Sequence, residues 1–124
     1  MEFAKQILIA GDPADTAGVM FDPAREPEWM KAVTSSVPQT PGIQPGAEVK
    51  RTSTVDGADV AWTTVVERFH FPHVLRLNIG GGTSGYLRYE VQRSGGGTVA
   101  MVRASCERDL FGFDLEALKA IVER

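Results

Sequence analysis

Apolar and polar residues alternate with a period of two over most of the chain from Gly46 onward. A period of two places successive side chains on opposite faces of a strand. Val49, Arg51, Ser53 and Val55 share one parity against Glu48, Lys50, Thr52 and Thr54. Asp56-Gly57, a hairpin-turn dipeptide, leads into a Val-, Thr- and Trp-rich strand from Asp59 to Phe69. His70 to His73 turns the chain into His73–Ile79, with Leu75, Leu77 and Ile79 on one face. After a Gly-rich turn, Tyr86–Gln92 sets Leu87, Tyr89 and Val91 against Arg88, Glu90 and Gln92. Thr98–Cys106 closes the series, with Ala100, Val102, Ala104 and Cys106 on one face. Short turns between consecutive strands predict an antiparallel meander. Glu2–Ala10 adds an N-terminal strand, with Phe3, Ile7 and Ile9 on one parity.

The period changes only at the end. In Glu107–Arg124, Phe111, Leu115, Leu118 and Val122 form a helical stripe widened by Leu110, Phe113, Ala117 and Ile121. Gly112 and Asp114 interrupt it. With Asp114 as N-cap the helix starts at Leu115, and Leu110, Phe111 and Phe113 become an apolar lead-in. Such a helix of about ten residues is only about 15 Å long. Between the first strand and the meander, Asp12-Pro13 and Asp22-Pro23 each read as an N-cap followed by proline at the first helical position. They predict two short helices, from about Pro13 to Phe21 and from Pro23 to about Met30. Val37–Gly46 holds three prolines and two glycines and reads as a loop.

One amphipathic helix and a run of strands bury their apolar faces only against each other. The expectation is an α+β fold in one domain over residues 1–124: a curved antiparallel sheet of about six strands, two short helices after the first strand, and a C-terminal helix packed on the sheet. So short a helix covers the sheet in part, leaving an apolar cavity or open groove.

Composition narrows the functional classes. Net charge is −3. The basic residues, including Arg51, Arg68, Arg76, Arg88 and Arg103, are dispersed along the sequence, which speaks against nucleic acid. A single cysteine, Cys106, excludes an internal disulfide and a Cys-rich zinc site. No apolar run reaches the ~20 residues of a membrane span, and the N-terminus lacks a signal-peptide pattern. A cytoplasmic protein is expected.

Several pieces together carry a resemblance: Asp12-Pro13, Phe21-Asp22-Pro23, Pro27-Glu28-Trp29, Trp62 with Val66-Glu67, Pro72 and Leu75, and Gly96-Gly97-Thr98-Val99. In that order and spacing they resemble the SRPBCC superfamily, the START-like, birch-pollen-allergen-like helix-grip proteins. The bacterial polyketide cyclase/dehydrase-like proteins are the nearest subgroup. The resemblance implies a helix-grip fold. It leaves function open among binding of lipids, sterols, hormones or polyketides, cyclase or aromatase activity, and partner binding.

The candidate chemistry is sparse. His70 and His73 have no companions at metal-ligand spacing, so no metal is expected; His70 is otherwise a candidate general base at a cavity mouth. Gly80–Gly85 lacks the Lys-Ser/Thr pair of a phosphate loop and reads as a hairpin tip, a candidate gate. Arg51 has the parity to point inward, where it would anchor a carboxylate or polarise a carbonyl; the alternatives are a β-bulge that reverses the parity, or pairing with a core carboxylate. Arg68 has the parity of Trp62, Thr64 and Val66 and is a weaker candidate for ligand contact, since near the strand end its head can simply reach water. Trp29, Trp62 and Tyr89 offer apolar area with one polar handle each and are placed against the pocket; the alternative for Trp29 is plain core under the short helices. Arg51, Trp29, Trp62 and Tyr89, with Thr64 and Phe113, form the candidate ligand-binding set, and no catalytic residue is assigned. The leading expectation is non-catalytic binding of a small hydrophobic or aromatic molecule, lipid- or polyketide-like, between sheet and C-terminal helix, without a cofactor. A metal-free aromatase or cyclase using Arg51 with Thr64 or Tyr89, and a protein-interaction module or homodimer using an open groove, are the rivals.

Overall fold

The computed structural model describes all 124 residues. Seven antiparallel strands form one sheet: β1 (Glu2–Ile9), β2 (Val33–Pro38), β3 (Glu48–Val55), β4 (Ala58–His70), β5 (Val74–Gly80), β6 (Gly85–Ser94) and β7 (Gly97–Cys106), in spatial order β1-β7-β6-β5-β4-β3-β2. The meander from β3 to β7 and the N-terminal strand are as the alternation predicts. The additional strand is β2. It lies on the sheet edge, is mostly exposed, and includes Val37-Pro38, assigned above to the loop. An edge strand tolerates proline and needs no alternation, so nothing in its pattern announces it.

The caps behave as their chemistry dictates. The Asp12 carboxylate accepts from the Asp15 amide at 2.7 Å and starts α1 (Pro13–Met20). Asp22 accepts from the Ala24 amide at 3.0 Å and starts a 3-10 turn, Pro23–Arg25, that continues into α2 (Glu26–Trp29). Asp114 accepts from the Ala117 amide at 3.0 Å and starts α3 (Leu115–Val122). The apolar side of α3, Leu115, Leu118 and Ile121, is buried, and the helix lies against β1, α1 and α2.

The lead-in to α3 does much of the covering that the helix is too short to do. Leu110, Phe111 and Phe113 are buried. The backbone there is zipped to residues 29–32: Lys31 N–H donates to Gly112 O at 2.8 Å, Ala32 N–H to Phe111 O at 3.2 Å, and Asp114 N–H to Trp29 O at 2.8 Å. Gly112 is required for this approach. It has φ +62°, and a Cβ there would sit 2.6 Å from the Ala32 nitrogen. The part of the inner face beneath α3 and its lead-in is therefore filled, and the space expected under the short helix is taken up there. Phe111 stacks on Phe113 at 4.9 Å, Phe113 on Trp29 at 6.2 Å, Trp29 meets Tyr89 edge-on at 5.8 Å, and Tyr89 stacks on Phe21 at 6.1 Å. The aromatics thus make a continuous core through the curl of the sheet.

Two parity readings have different outcomes. Arg51 points inward and is 3 % exposed. Arg68 does not, because a bulge between Val66 and Arg68 reverses the alternation, turning Phe69 inward and Arg68 to solvent. Nor do the basic residues stay dispersed once the sheet forms. Arg68, Arg76, Arg88 and Arg103 lie in one register row across β4, β5, β6 and β7.

Candidate functional site

A cavity of about 320 Å³ opens between three parts of the chain. The end of α1 and the following turn supply Ala17, Gly18, Phe21 and Pro23. The end of β2 and the segment after it supply Pro38, Thr40, Gly42, Ile43 and Ala47. The sheet contributes Val49, Val66, Leu75 and Leu77, and the acidic residues Asp22 and Glu48 also belong to the lining. Phe71, from the β4–β5 turn, stands half-exposed at the edge, 6.3 Å from the Phe21 ring. The proline loop is fixed over the sheet by backbone bonds: Gly46 N–H donates to Val66 O at 2.8 Å, and Val66 N–H to Ala47 O at 2.9 Å.

No residue after Leu77 lines this cavity. The expected location, between sheet and C-terminal helix, is thus corrected: Phe111 and Phe113 fill that space. The Gly80–Gly85 turn sits between β5 and β6, at the opposite end of β5 from Phe71, so it is no gate to this cavity. His70 is exposed and is absent from the lining. The His70 and His73 rings are 5.9 Å apart, and no cluster of three His, Cys, Asp or Glu side chains is placed to hold a metal ion.

At its inner end the cavity meets Arg51 and Glu26, both buried. Arg51 Nε donates to Glu26 Oε1 and Arg51 Nη2 to Glu26 Oε2, each at 2.7 Å, a two-pronged pair. Arg51 Nη1 donates to Thr64 Oγ1. The guanidinium also lies 5.1 Å from the centre of the Trp62 ring, across the β3–β4 register. Burial opposes the charge on Arg51, but the charge and hydrogen bonds of Glu26 outweigh it, and its pKa is raised. Arg51 is thus charged and largely occupied by its own neighbours.

Of the six candidate residues, only Arg51 lines this cavity. Thr64 holds Arg51 in place. Trp62 Nε1 donates to Ser53 Oγ at 2.8 Å, and Ser53 Oγ donates to Leu110 O at 2.6 Å, tying the sheet to the lead-in of α3. Tyr89 is wholly buried, its hydroxyl 3.5 Å from Met30 Sδ; burial first, then the nearby Glu26 charge, push its pKa upward. Trp29 and Phe113 stack in the core. Trp29 Nε1 has no protein acceptor, at a cost of about 1–3 kcal/mol.

Sequence reasoning missed Glu26, Phe21, Ile43 and Phe71. Glu26 lies in a four-residue helix where a solvent-facing carboxylate is the ordinary reading. Its one signal is Arg51: an inward arginine needs a buried anion. Ile43 and Phe71 are apolar residues outside any periodic segment, and Phe21 stands at the end of the first predicted helix. A cavity wall is one use for such residues.

Similarity to known proteins agrees with this architecture. A family model described as polyketide cyclase / dehydrase and lipid transport matches residues 1–124. No curated protein matches the sequence. Among solved structures, Ara h 8.0201 superposes with a TM-score of 0.69 at 15% identity, over 98% of this chain and 97% of that one. Protein CV1439 from Chromobacterium violaceum gives 0.74 at 11% identity, over 99% and 98%. The di-domain ARO/CYC BexL from the BE-7585A biosynthetic pathway gives 0.69 at 18% identity, over 86% of this chain but only 35% of that one. At such identities these likenesses speak for the fold alone. No helix of this chain is long and apolar enough to cross a membrane. With the family model spanning every residue and the helix-grip topology in place, the chain belongs to the SRPBCC superfamily, in its family of polyketide cyclases, dehydrases and lipid-transport proteins.

Proposed function

We propose that the protein binds one small apolar or aromatic molecule in the cavity beside Phe21, Ile43 and Phe71, and does not transform it. The observation that carries this reading is the state of the buried charges at the cavity's inner end. Arg51 and Glu26 hold each other through two 2.7 Å bonds, and Thr64 takes a third arm of the guanidinium. A group committed in this way gives a ligand a polar end to lie against. It is not free to act as a general acid or base. The rival cyclase reading needs Arg51 to polarise a carbonyl with help from Thr64 or Tyr89. Thr64 is taken up by Arg51, and neither Thr64 nor Tyr89 lines the cavity.

Size sets the ligand class. A volume of about 320 Å³ lies near the lower limit of the about 300–1,000 Å³ usual for small-molecule pockets. It suits one or two fused rings or a short acyl chain. Native mass spectrometry with a graded set of probes tests this reading. A naphthol and an eight-carbon fatty acid should each give a one-to-one adduct, and a four-ring aromatic none. Failure of both small probes, or conversion of a poly-β-ketone analogue by the protein, would contradict it.

A further inference from the structure

The outer face of the sheet carries a feature that ligand binding does not use. Arg68 pairs in register with Arg76, Arg76 with Arg88, and Arg88 with Arg103, so four arginines stand side by side on four adjacent strands. Neighbouring strands lie about 4.8 Å apart, which makes the row about 14 Å long. Like charges directly opposite each other on a sheet are destabilising. A protein of net charge −3 has here gathered four of its cations into one line.

The row is only partly neutralised. Arg76 Nε donates to Glu67 Oε2 at 2.5 Å and Arg88 Nε to Glu90 Oε1 at 2.5 Å. Arg68 and Arg103, at the two ends, are exposed and make no ion pair. On one side of the row, Ser105, Tyr86, Asn78 and Val65 occupy the next register positions, without charge; on the other side stand Met101, Glu90, Val74 and His70. The Arg76 guanidinium lies 4.5 Å from the centre of the Tyr86 ring, which holds it over the sheet.

We propose that this row is a docking surface for an acidic, extended segment of a partner protein, whose carboxylates engage Arg68 and Arg103 and exchange with Glu67 and Glu90 at the centre. Charge complementarity gives the sign of the partner. The choice of carboxylates follows from the row itself, whose two inner guanidiniums are already geared to carboxylate oxygens. A straight track across the strands suits a linear segment better than a globular surface. Glu67 and Glu90 then act as built-in competitors.

The test is a titration of a fluorescent ten-residue peptide of alternating Glu and Ser, read by anisotropy at low salt. A Gln/Ser peptide, vesicles containing anionic phospholipid and a single-stranded oligonucleotide serve as comparisons. The expected result is saturable binding of the Glu/Ser peptide alone, weakened at least tenfold in the Arg68→Gln/Arg103→Gln variant and strengthened in Glu67→Gln/Glu90→Gln. Arg68 and Arg103 are exposed, so the first variant should keep its circular dichroism spectrum and melting temperature. No saturable peptide binding, binding indifferent to Arg68 and Arg103, or tighter binding to the vesicles or the oligonucleotide would overturn the proposal.

Discussion

At the scale of single residues, the buried pair of Arg51 and Glu26 is the most consequential contact. Removing one partner of such a pair strands the other charge and costs about 3–5 kcal/mol, whereas replacing both by apolar residues is often neutral. Glu26→Ala should therefore lower the unfolding free energy by about 3–5 kcal/mol in a urea titration, and Glu26→Leu/Arg51→Met should recover most of that loss. A double variant as unstable as the sum of its single changes would show that the two residues are not coupled as described. The inward aim of Arg51 was legible from the parity of Val49 and Val55. Its partner was not, because Glu26 lies 25 residues earlier in a separate helix and only the tertiary fold brings them together. Parity also misled where the backbone departs from regularity: Arg68 turns outward because of a bulge that no residue type signals.

At the scale of elements, local chemistry was easiest to read. Asp12, Asp22 and Asp114 each start a helical segment because a carboxylate satisfies the free amides of a first turn. The edge strand β2 was not legible; its residues alternate poorly and its existence depends on pairing with β3. The segment from Leu110 to Asp114 was recognised as apolar, but its part as a substitute for helix length was not. Gly112→Ala should cost about 2–3 kcal/mol in thermal or urea unfolding, since it adds left-handed strain to a collision with the Ala32 backbone. A variant as stable as the parent would remove the case for that close approach.

The far end of α3 has its own signature. Glu123 accepts from Lys119 Nζ at 2.6 Å and from the Ala10 amide at 2.7 Å, and its pKa is held below the ordinary 4.5 mainly by the Lys119 bond. A folded-state pKa below the unfolded one means that this contribution is present above about pH 4.5 and is lost as the pH falls through the folded value. An NMR titration should place the Glu123 midpoint below 4.5, and Lys119→Met should raise it. An unchanged midpoint in that variant would show that the lysine is not the cause.

At the scale of the whole molecule, the fold is the expected one and its cavity lies elsewhere than expected. The pattern of the chain indicated a curved sheet gripping a C-terminal helix, with the helix too short to cover it. Where the remaining space lies was beyond the pattern. It depends on how Phe111, Phe113, Trp29 and Tyr89 pack together, and on where the proline loop comes to rest against Val66. Both are long-range outcomes with no periodic signal. The result is a core filled beneath α3 and a cavity displaced to the mouth formed by α1, the loop and the β4–β5 turn.

That displacement is tested most directly by placing a block at the mouth. Gly18 lines the cavity, sits in the body of α1, and has no atom within 4 Å of where a Cβ would stand. Gly18→Leu should leave stability unchanged or raise it by up to about 1 kcal/mol through helix propensity. The decisive measurement is calorimetric titration of a naphthol into the parent protein, into Gly18→Leu, and into Phe113→Leu, which loosens the packing beneath α3. Binding that survives in Phe113→Leu and is lost in Gly18→Leu is the predicted result. Binding that survives the block at Gly18 and fails or changes in Phe113→Leu would place the ligand under the helix and contradict the account.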